Sequence, residues 1–524
     1  MRFWKKEPRN SEKRLSHPND NLYVTLSQGF PSDRDQVAIH TPDKDYSWAD
    51  IEALSAQYAH ALASLKLNEG ARVAVQVEKS PEALMLYLAC LRAGYVYLPL
   101  NTAYQRNEVA YFLGDAAPEL LVCDPAFLST LKEVAAECGT EHVLTLDAQG
   151  QGSLTDLAAG QSRTFNTVAR QADALAAILY TSGTTGRSKG AMLSHGNLAS
   201  NAQVLHDFWG WSSDDVLLHM LPIFHVHGLF VASHGALLAG AKMIWLPKLD
   251  IDQALHYLPQ STLMMGVPTY YVRLLAHEGF TREVCRSMRL FISGSAPLLE
   301  ETFRAFQERI GQSILERYGM SETIMLTSNP YHEDQGPRVA GTVGRPLPGV
   351  NVRIVDDQDN PVAEGAVGHV QVQGPNVFSG YWQMPEKTAE EFTTDHWFRT
   401  GDMGQWTPVE GGHEYLSIVG RNSDMVITGG YNVYPKEIEL LIDTFDGVNE
   451  SAVVGIPDPD FGEAVIAAVV PLPGQTVDVD ALNDYLRAEL ANYKVPKQIH
   501  IIDELPRNTM AKVQKNVLRQ QFAK

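Results

Sequence analysis

Apolar and polar positions alternate along this chain with two different periods. "SWADIEALSAQYAHALASLKL", Ser47 to Leu67, repeats apolar residues at helical spacing behind Ser47, an N-cap residue type. "RVAVQVE" then reads as a strand, "PEALMLYLACLRAG" as a helix opened by Pro81, and "ELLVCD" as a strand. Further on, the strands "SMRLFISGS" and "QSILERYG" flank the helical "LLEETFRAFQERIG". Such alternation over residues 46–310 predicts α/β layers with largely parallel sheets. From about residue 340 the texture changes to short strands punctuated by Gly and Pro: "GVNVRIVDD", "GHVQVQG" and "EYLSIVGR". That predicts a β-rich subdomain. After the polar "GRNSD" a small α+β unit follows, with "ESAVVGIPD", "AVIAAVVPL" and the helix "DALNDYLRAEL". The expected division is a large N-terminal domain of layered α/β subdomains over residues 1–420 and a small C-terminal domain over 421–524.

One loop breaks the pattern with chemistry. "YTSGTTGRSKG", Tyr180 to Gly190, follows the apolar run Ala174 to Leu179 and is rich in glycine, hydroxyls and cations. Glycines let backbone N–H groups turn toward an anion, and Ser or Thr hydroxyls add donors. Lys189 and Arg187 can offset phosphate charge. The stretch therefore reads as a polyphosphate loop, with a solvated surface loop as the alternative. The G-x-x-x-x-G-K-[ST] spacing of a P-loop cannot be laid over Gly183, Gly186 and Lys189.

Charge sharpens this reading. The chain has 42 Lys+Arg against 62 Asp+Glu, a net charge of −20, which repels nucleic acid and anionic lipid. An anionic substrate must be met by a local cationic or N–H-lined pocket. The apolar run Ala83 to Leu91 is too short to span a bilayer, and the basic "MRFWKKEPRNSEKR" lacks an apolar signal core. Cys90, Cys123, Cys138 and Cys285 are widely spaced, as expected of reduced cytoplasmic thiols.

Other stretches carry candidate chemistry beside ordinary structural readings. "FISGSAP" ends a strand in small residues where backbone can approach a flat ligand, or simply forms a strand-to-helix loop. In "ERYGMSET", Glu322 can hold Mg²⁺ beside phosphates or charge a helix N-terminus. In "FRTGDM", Asp402 can accept two ribose hydroxyls or serve a turn. His219, His225, His227 and His234 match no standard zinc spacing, so a pocket-lining histidine in "LPIFHVHGL" is the better reading. Lys512 and Lys515 lie in a basic tail that, taken alone, is a solvated one.

Taken in order, "YTSGTTGRSKG", "FISGSAP", "RYGMSET", "FRTGDM", "GRNSDMVITGGYNVYPKEIE" and "LPRNTMAK" resemble the adenylate-forming superfamily. That superfamily comprises acyl-CoA synthetases, luciferases and peptide-synthetase adenylation domains. The resemblance runs from about residue 45 to the end. Within it, "EKSPEALMLYLACLRAGYVYLPLNTAY", "LPIFHVHGLFVASHGALLAG", "GVPTYYVRLL" and "LPRNTMAKVQKNVLR" are most similar to malonyl-CoA synthetases.

The resemblance implies an ATP-dependent acid–CoA ligase, with Mg²⁺, and with ATP and CoA as co-substrates. Thr181, Ser182, Gly183, Thr184, Thr185, Gly186 and Lys189 would form the phosphate loop, with Thr181 close to the chemistry. Gly294, Ser295, Ala296 and Pro297 would border adenine, and Tyr318 would stack on it, followed by Gly319, Met320 and Ser321. Ser321 stands where threonine is usual and keeps the hydroxyl. Glu322 would hold Mg²⁺, Asp402 the ribose, and Arg421 the ribose or phosphate side. Lys512 would reach the carboxylate and α-phosphate during adenylation. The C-terminal domain would then rotate, bringing Gly429 and Gly430 to the pantetheine tunnel.

His225, Arg273 and Ser293 are the expected acid-binding residues, Arg273 because a guanidinium in an apolar wall suits a dicarboxylate. Two departures stand out. Ala511 replaces the usual glycine before the lysine, which costs about 1 kcal/mol if φ must be positive. Ser423 occupies the hinge position, where Asp or Lys is common. The alternatives are a ligase for methylmalonate or a longer acyl acid, and a nucleotide-binding protein without activity.

Overall fold

The computed structural model describes residues 19–181, 188–428, 431–458, 461–490, 492–508 and 512–523. The helix Trp48–Ser64 starts where the sequence places it. Ser47 accepts from the Asp50 backbone, and the Asp50 carboxylate accepts from the Ser47 backbone in return. The apolar helix Pro81–Ala93 is buried on every residue, so it must lie between layers rather than on one. Tyr87 shows which layers: its ring meets Tyr97 on one sheet and Phe230 and His234 in the helical cover of the other.

The first of those sheets has six strands, in the order His142–Thr145, Leu120–Cys123, Arg72–Gln76, Val96–Pro99, Leu175–Thr181, Lys189–Ser194. All neighbours are parallel except the last pair. The phosphate-loop candidate joins that last pair as a hairpin, with Thr181 opposite Lys189. A connection this short permits only antiparallel pairing, so the loop does not open a helix.

The second sheet has nine strands, and its centre runs Leu315–Tyr318, Leu290–Ser293, Leu263–Gly266, Val216–His219, Lys242–Trp245, Val37–His40. These are parallel, with antiparallel strands at both edges. The β-rich texture after residue 340 becomes a four-stranded antiparallel sheet from Asn351 to Arg421. The last sheet has five strands and begins at Val426. Its alternation serves two cores: Val453, Val465, Ala467 and Val469 face one, and Ala452, Val454, Ile466 and Ala468 face the other.

The nine-stranded sheet has two unlike ends. At the N-terminal ends of three adjacent strands, Asp215 takes bonds from Arg289 Nε and Nη2, both 2.7 Å, and from Thr262 Oγ1, 2.7 Å. Thr262 Oγ1 in turn accepts from the Val216 backbone at 2.9 Å. At the C-terminal ends lie His219, Gly266, Ser293 and Tyr318, where ligands of parallel sheets gather.

Burial pushes the Asp215 carboxyl up, but its hydrogen bonds from Arg289, Thr262 and Ser212 hold it below the usual carboxylate range. The stabilisation is therefore complete above the unfolded carboxyl pKa of about 3.9 and is lost as the pH falls through the folded one. Asp215→Asn should lower N-terminal-domain stability by about 3 kcal/mol at pH 7 in urea unfolding. The gap to the unmodified chain should narrow as the pH drops below about 4. A gap independent of pH would show that the charge of Asp215 contributes nothing.

Candidate active site

Tyr318 ends its strand with its hydroxyl donating to Asp402 Oδ2. Asp402 sits directly opposite Arg421 in the antiparallel pair of strands Phe398–Val409 and His413–Arg421, and Arg421 Nε reaches its Oδ1 at 2.7 Å. One carboxylate is thus oriented by a phenol and a guanidinium. Burial and the Asp402 charge push the Tyr318 phenol up, so it stays a donor. The Asp402 charge likewise raises Arg421.

Glu322 is buried beside this group, and its Oε1 accepts from Tyr381 at 2.9 Å. Burial raises its pKa, while the Tyr381 bond, Arg421 and Lys189 oppose the rise. Lys189 lies 4.3 Å from the Tyr381 ring centre and 3.5 Å from Glu391. One hard, buried carboxylate fits Mg²⁺, which takes one or two protein carboxylates and fills its shell with phosphate and water. Among the described residues no cluster of three metal-ligating side chains exists, so any such ion would take its other ligands from substrate.

Lys512 is solvent-accessible, yet it stands over this floor with protein mass around it. That desolvation lowers its pKa, as does Arg421, while Asp402 and Glu322 raise it. The segment that carries it is fixed within the small domain: Lys515 meets buried Glu439 at 2.6 Å, and Arg519 meets Asp424 at 2.9 Å.

The loop after strand Leu290–Ser293 holds the remaining chemistry. Ser295 takes a positive φ of 72°, and its Oγ lies 3.3 Å from His227 Nδ1. Gly294 is buried, and a Cβ there would stand 2.3 Å from the Arg317 Cζ. Glycine lets the guanidinium lie against the backbone here, and a larger residue would displace it. Ala296 is half-buried and Pro297 exposed.

Arg317 is buried, and its Nε and Nη2 have no partner among the described residues. Burial pulls its pKa down to about 9, which leaves it cationic at pH 7. Glu316, its neighbour in sequence, does not neutralise it. Successive side chains point to opposite faces of a strand, and Glu316 Oε1 accepts from the Leu298 backbone instead. Burial pushes Glu316 up to about 8, so it is mostly protonated. Ser293 Oγ and His227 Nε2 are also buried without partners. Burial first, and Arg317 second, hold His227 well below the usual histidine range. His225 falls to about 3 through burial and then the charges of Lys512 and Arg317.

The structure thus brings together Thr181, Lys189, His225, Ser293 to Pro297, Tyr318 to Glu322, Asp402, Arg421 and Lys512 around the ends of two sheets. Ser182 to Gly186, Arg187, Gly429, Gly430 and Ala511 lie outside the described residues. Arg273 is exposed on helix Pro268–Leu275 and is not enclosed by an apolar wall. The buried cation is Arg317, which the sequence hid inside a strand ending in an Arg–Tyr–Gly run.

The AMP-binding enzyme family matches residues 28–382, and the AMP-binding enzyme C-terminal domain matches residues 437–512. The indoleacetate–CoA ligase of Aromatoleum aromaticum is 36% identical, over 93% of this chain and 96% of that protein. A malonate–CoA ligase of Arabidopsis thaliana is 32% identical, over 93% of this chain and 86% of that protein. The crystal structure of ATP-bound MatB from Rhodopseudomonas palustris superposes with a TM-score of 0.92 at 52% identity. It covers 96% of this chain and 99% of that one. Matches of this extent, falling on a site built from the same motifs, show that the chain belongs to the AMP-binding enzyme family.

Proposed function

We propose that this chain ligates malonate to coenzyme A. A malonate carboxylate oxygen attacks the α-phosphorus of ATP and pyrophosphate leaves. The CoA thiol then attacks the acyl carbon of malonyl-adenylate, giving up its proton as AMP leaves. The observation that carries the reading is Arg317, a buried guanidinium with two unpaired nitrogens beside the Ser293–Ser295 loop. Leaving such a charge unpaired is costly, whereas a second substrate carboxylate takes two parallel hydrogen bonds from it. An indoleacetate-type acid carries no second charge to offer there. The malonate–CoA ligases among the relatives support the same reading.

The other roles follow from position. Asp402, held by Tyr318 and Arg421, takes the ribose hydroxyls. Glu322 would hold Mg²⁺, which supplies charge neutralisation on the phosphates when bound. Lys512 stabilises charge as the carboxylate attacks. The division near residue 421 lets the small domain carry Lys512 away before the thiol attacks. No helix among the described residues is long and apolar enough to cross a membrane. Cys90, Cys123, Cys138 and Cys285 are free thiols, which suits the cytoplasm.

Arg317→Met should raise KM for malonate by about a hundredfold or more, the effect of losing a charged hydrogen-bonding partner. KM for ATP should hold, and propionate or butyrate should be accepted better. A panel of malonate, methylmalonate and uncharged acids with CoA measures this, and unchanged malonate kinetics would reject the assignment.

Lys512→Ala should lose overall turnover by about a thousandfold, the scale of one transition-state contact. It should still form thioester from supplied malonyl-adenylate; equal loss in both half-reactions would remove Lys512 from adenylation. Glu322→Gln should raise the Mg²⁺ concentration needed for pyrophosphate exchange without changing Tm, and a fall in Tm would mark it as structural instead.

A further inference from the structure

Lys79 is another buried cation, and none of the chemistry above uses it. Lys79 lies in the loop between strand Arg72–Gln76 and helix Pro81–Ala93, almost wholly buried. Its Nζ donates to His219 Nδ1 at 3.0 Å, to the His219 carbonyl at 2.9 Å and to the Leu246 carbonyl at 2.7 Å. The Trp245 ring centre stands 4.5 Å away. No carboxylate pairs with it among the described residues. Burial pulls its pKa well down, but an ammonium has three donors for these three acceptors and an indole face to lie on. A neutral amine could serve the two carbonyls and accept from an Nδ1–H. His219 Nε2, however, faces the Gly228 carbonyl, which only accepts, so a neutral ring keeps its hydrogen on Nε2 and offers Nδ1 to the third ammonium N–H. Lys79 thereby ties the six-stranded sheet to the C-terminal ends of two strands of the nine-stranded one.

The proton count then runs on through His219. Its Nδ1 accepts from Lys79, so its Nε2 carries the hydrogen. That nitrogen lies 3.0 Å from the Gly228 carbonyl and 3.1 Å from Ser233 Oγ, and Ser233 Oγ also donates to Gly228 at 2.8 Å. Gly228 and Ser233 belong to the π-helical turn His227–Ser233, a form frequent at functional sites. The turn has no slack at its start: a Cβ on Gly228 would stand 2.0 Å from the Pro222 carbonyl. Its first residue is His227, which meets Ser295, and the Leu229 N–H binds the His225 carbonyl at 3.0 Å.

We propose that Lys79 and His219 are positioning residues that hold the π-turn His227–Ser233, and with it the His225 and His227 wall of the acid pocket, against the Ser293–Ser295 loop. The proposal rests on the acid-adenylation reading, which wild-type pyrophosphate exchange with malonate tests on its own. A wall of the acid pocket governs the acid and leaves the nucleotide alone, so the effect must be split between the two substrates.

Three variants read it by pyrophosphate exchange: His219→Phe, His219→Gln and Ser233→Ala. His219→Phe, which leaves Lys79 and the Gly228 carbonyl short of a partner, should raise KM for the acid about tenfold. KM for ATP should stay within about twofold, since the relay reaches the nucleotide side only through the 3.3 Å contact of His227 with Ser295. His219→Gln keeps an amide donor for Gly228 and should recover most of the loss, with Ser233→Ala between the two. Should the Phe variant fail to fold, Gln and Ser233→Ala carry the test through the same split. Equal shifts in both KM values, no shift in either, or a Gln variant as impaired as Phe at the same Tm would overturn the proposal.

Discussion

A guanidinium buried without a counter-ion is the constraint around which this site is arranged. Arg317 is cationic, enclosed and short of two hydrogen-bond acceptors. Its sequence neighbour Glu316 points to the other face of the strand and is kept largely neutral by burial. A side chain at position 294 would displace the guanidinium, and Gly294 leaves it room. His227, and His225 beside it, stay uncharged through burial and through the cations around them. A protein of net charge −20 thus keeps an uncompensated positive charge enclosed at this site, which is what a small dianion requires.

Stability and function occupy opposite ends of the same sheet. At the N-terminal ends of the strands every polar group of the Asp215, Thr262 and Arg289 cluster is paired. At the C-terminal ends Ser293 Oγ, His227 Nε2 and two nitrogens of Arg317 are left open. Buried polar atoms without partners are uncommon in folded proteins. Four of them stand together at this end of the sheet, where a ligand can complete their hydrogen bonding.

The nucleotide side follows a different logic. Its polar groups are already paired with one another, as Tyr318, Asp402 and Arg421 are, or Glu322 and Tyr381. These pairs orient carboxylates before a ligand arrives, which lowers the entropy lost on binding. Lys512 comes from the small domain and faces both sides at once, repelled by Arg421 and Arg317 and attracted by Asp402 and Glu322. A lysine so balanced is held in place by the anionic charge it meets. Glu439 anchors its segment, with burial raising that carboxyl and the Lys515 charge drawing it below its ordinary value.

Local pattern was legible in the sequence. The capped helix behind Ser47, the all-round apolar helix Pro81–Ala93 and the strands around Ser293 and Tyr318 follow from periodicity, caps and turn residues within a few positions of each other. The motif residues Lys189, Glu322, Asp402, Arg421 and Lys512 were singled out as a set by the order of the motifs along the chain, whereas Lys512 taken alone reads as part of a basic tail. Arg273 and Arg317 were not separable there. Each lies in an apolar stretch, and only packing shows that one reaches water while the other presses on Gly294 with no acceptor in reach. The Lys79–His219 tie joins residues 140 positions apart, and no local pattern encodes such a contact. Periodicity reports which face of an element is dry; where a buried charge finds its partner is decided by which elements the fold sets side by side.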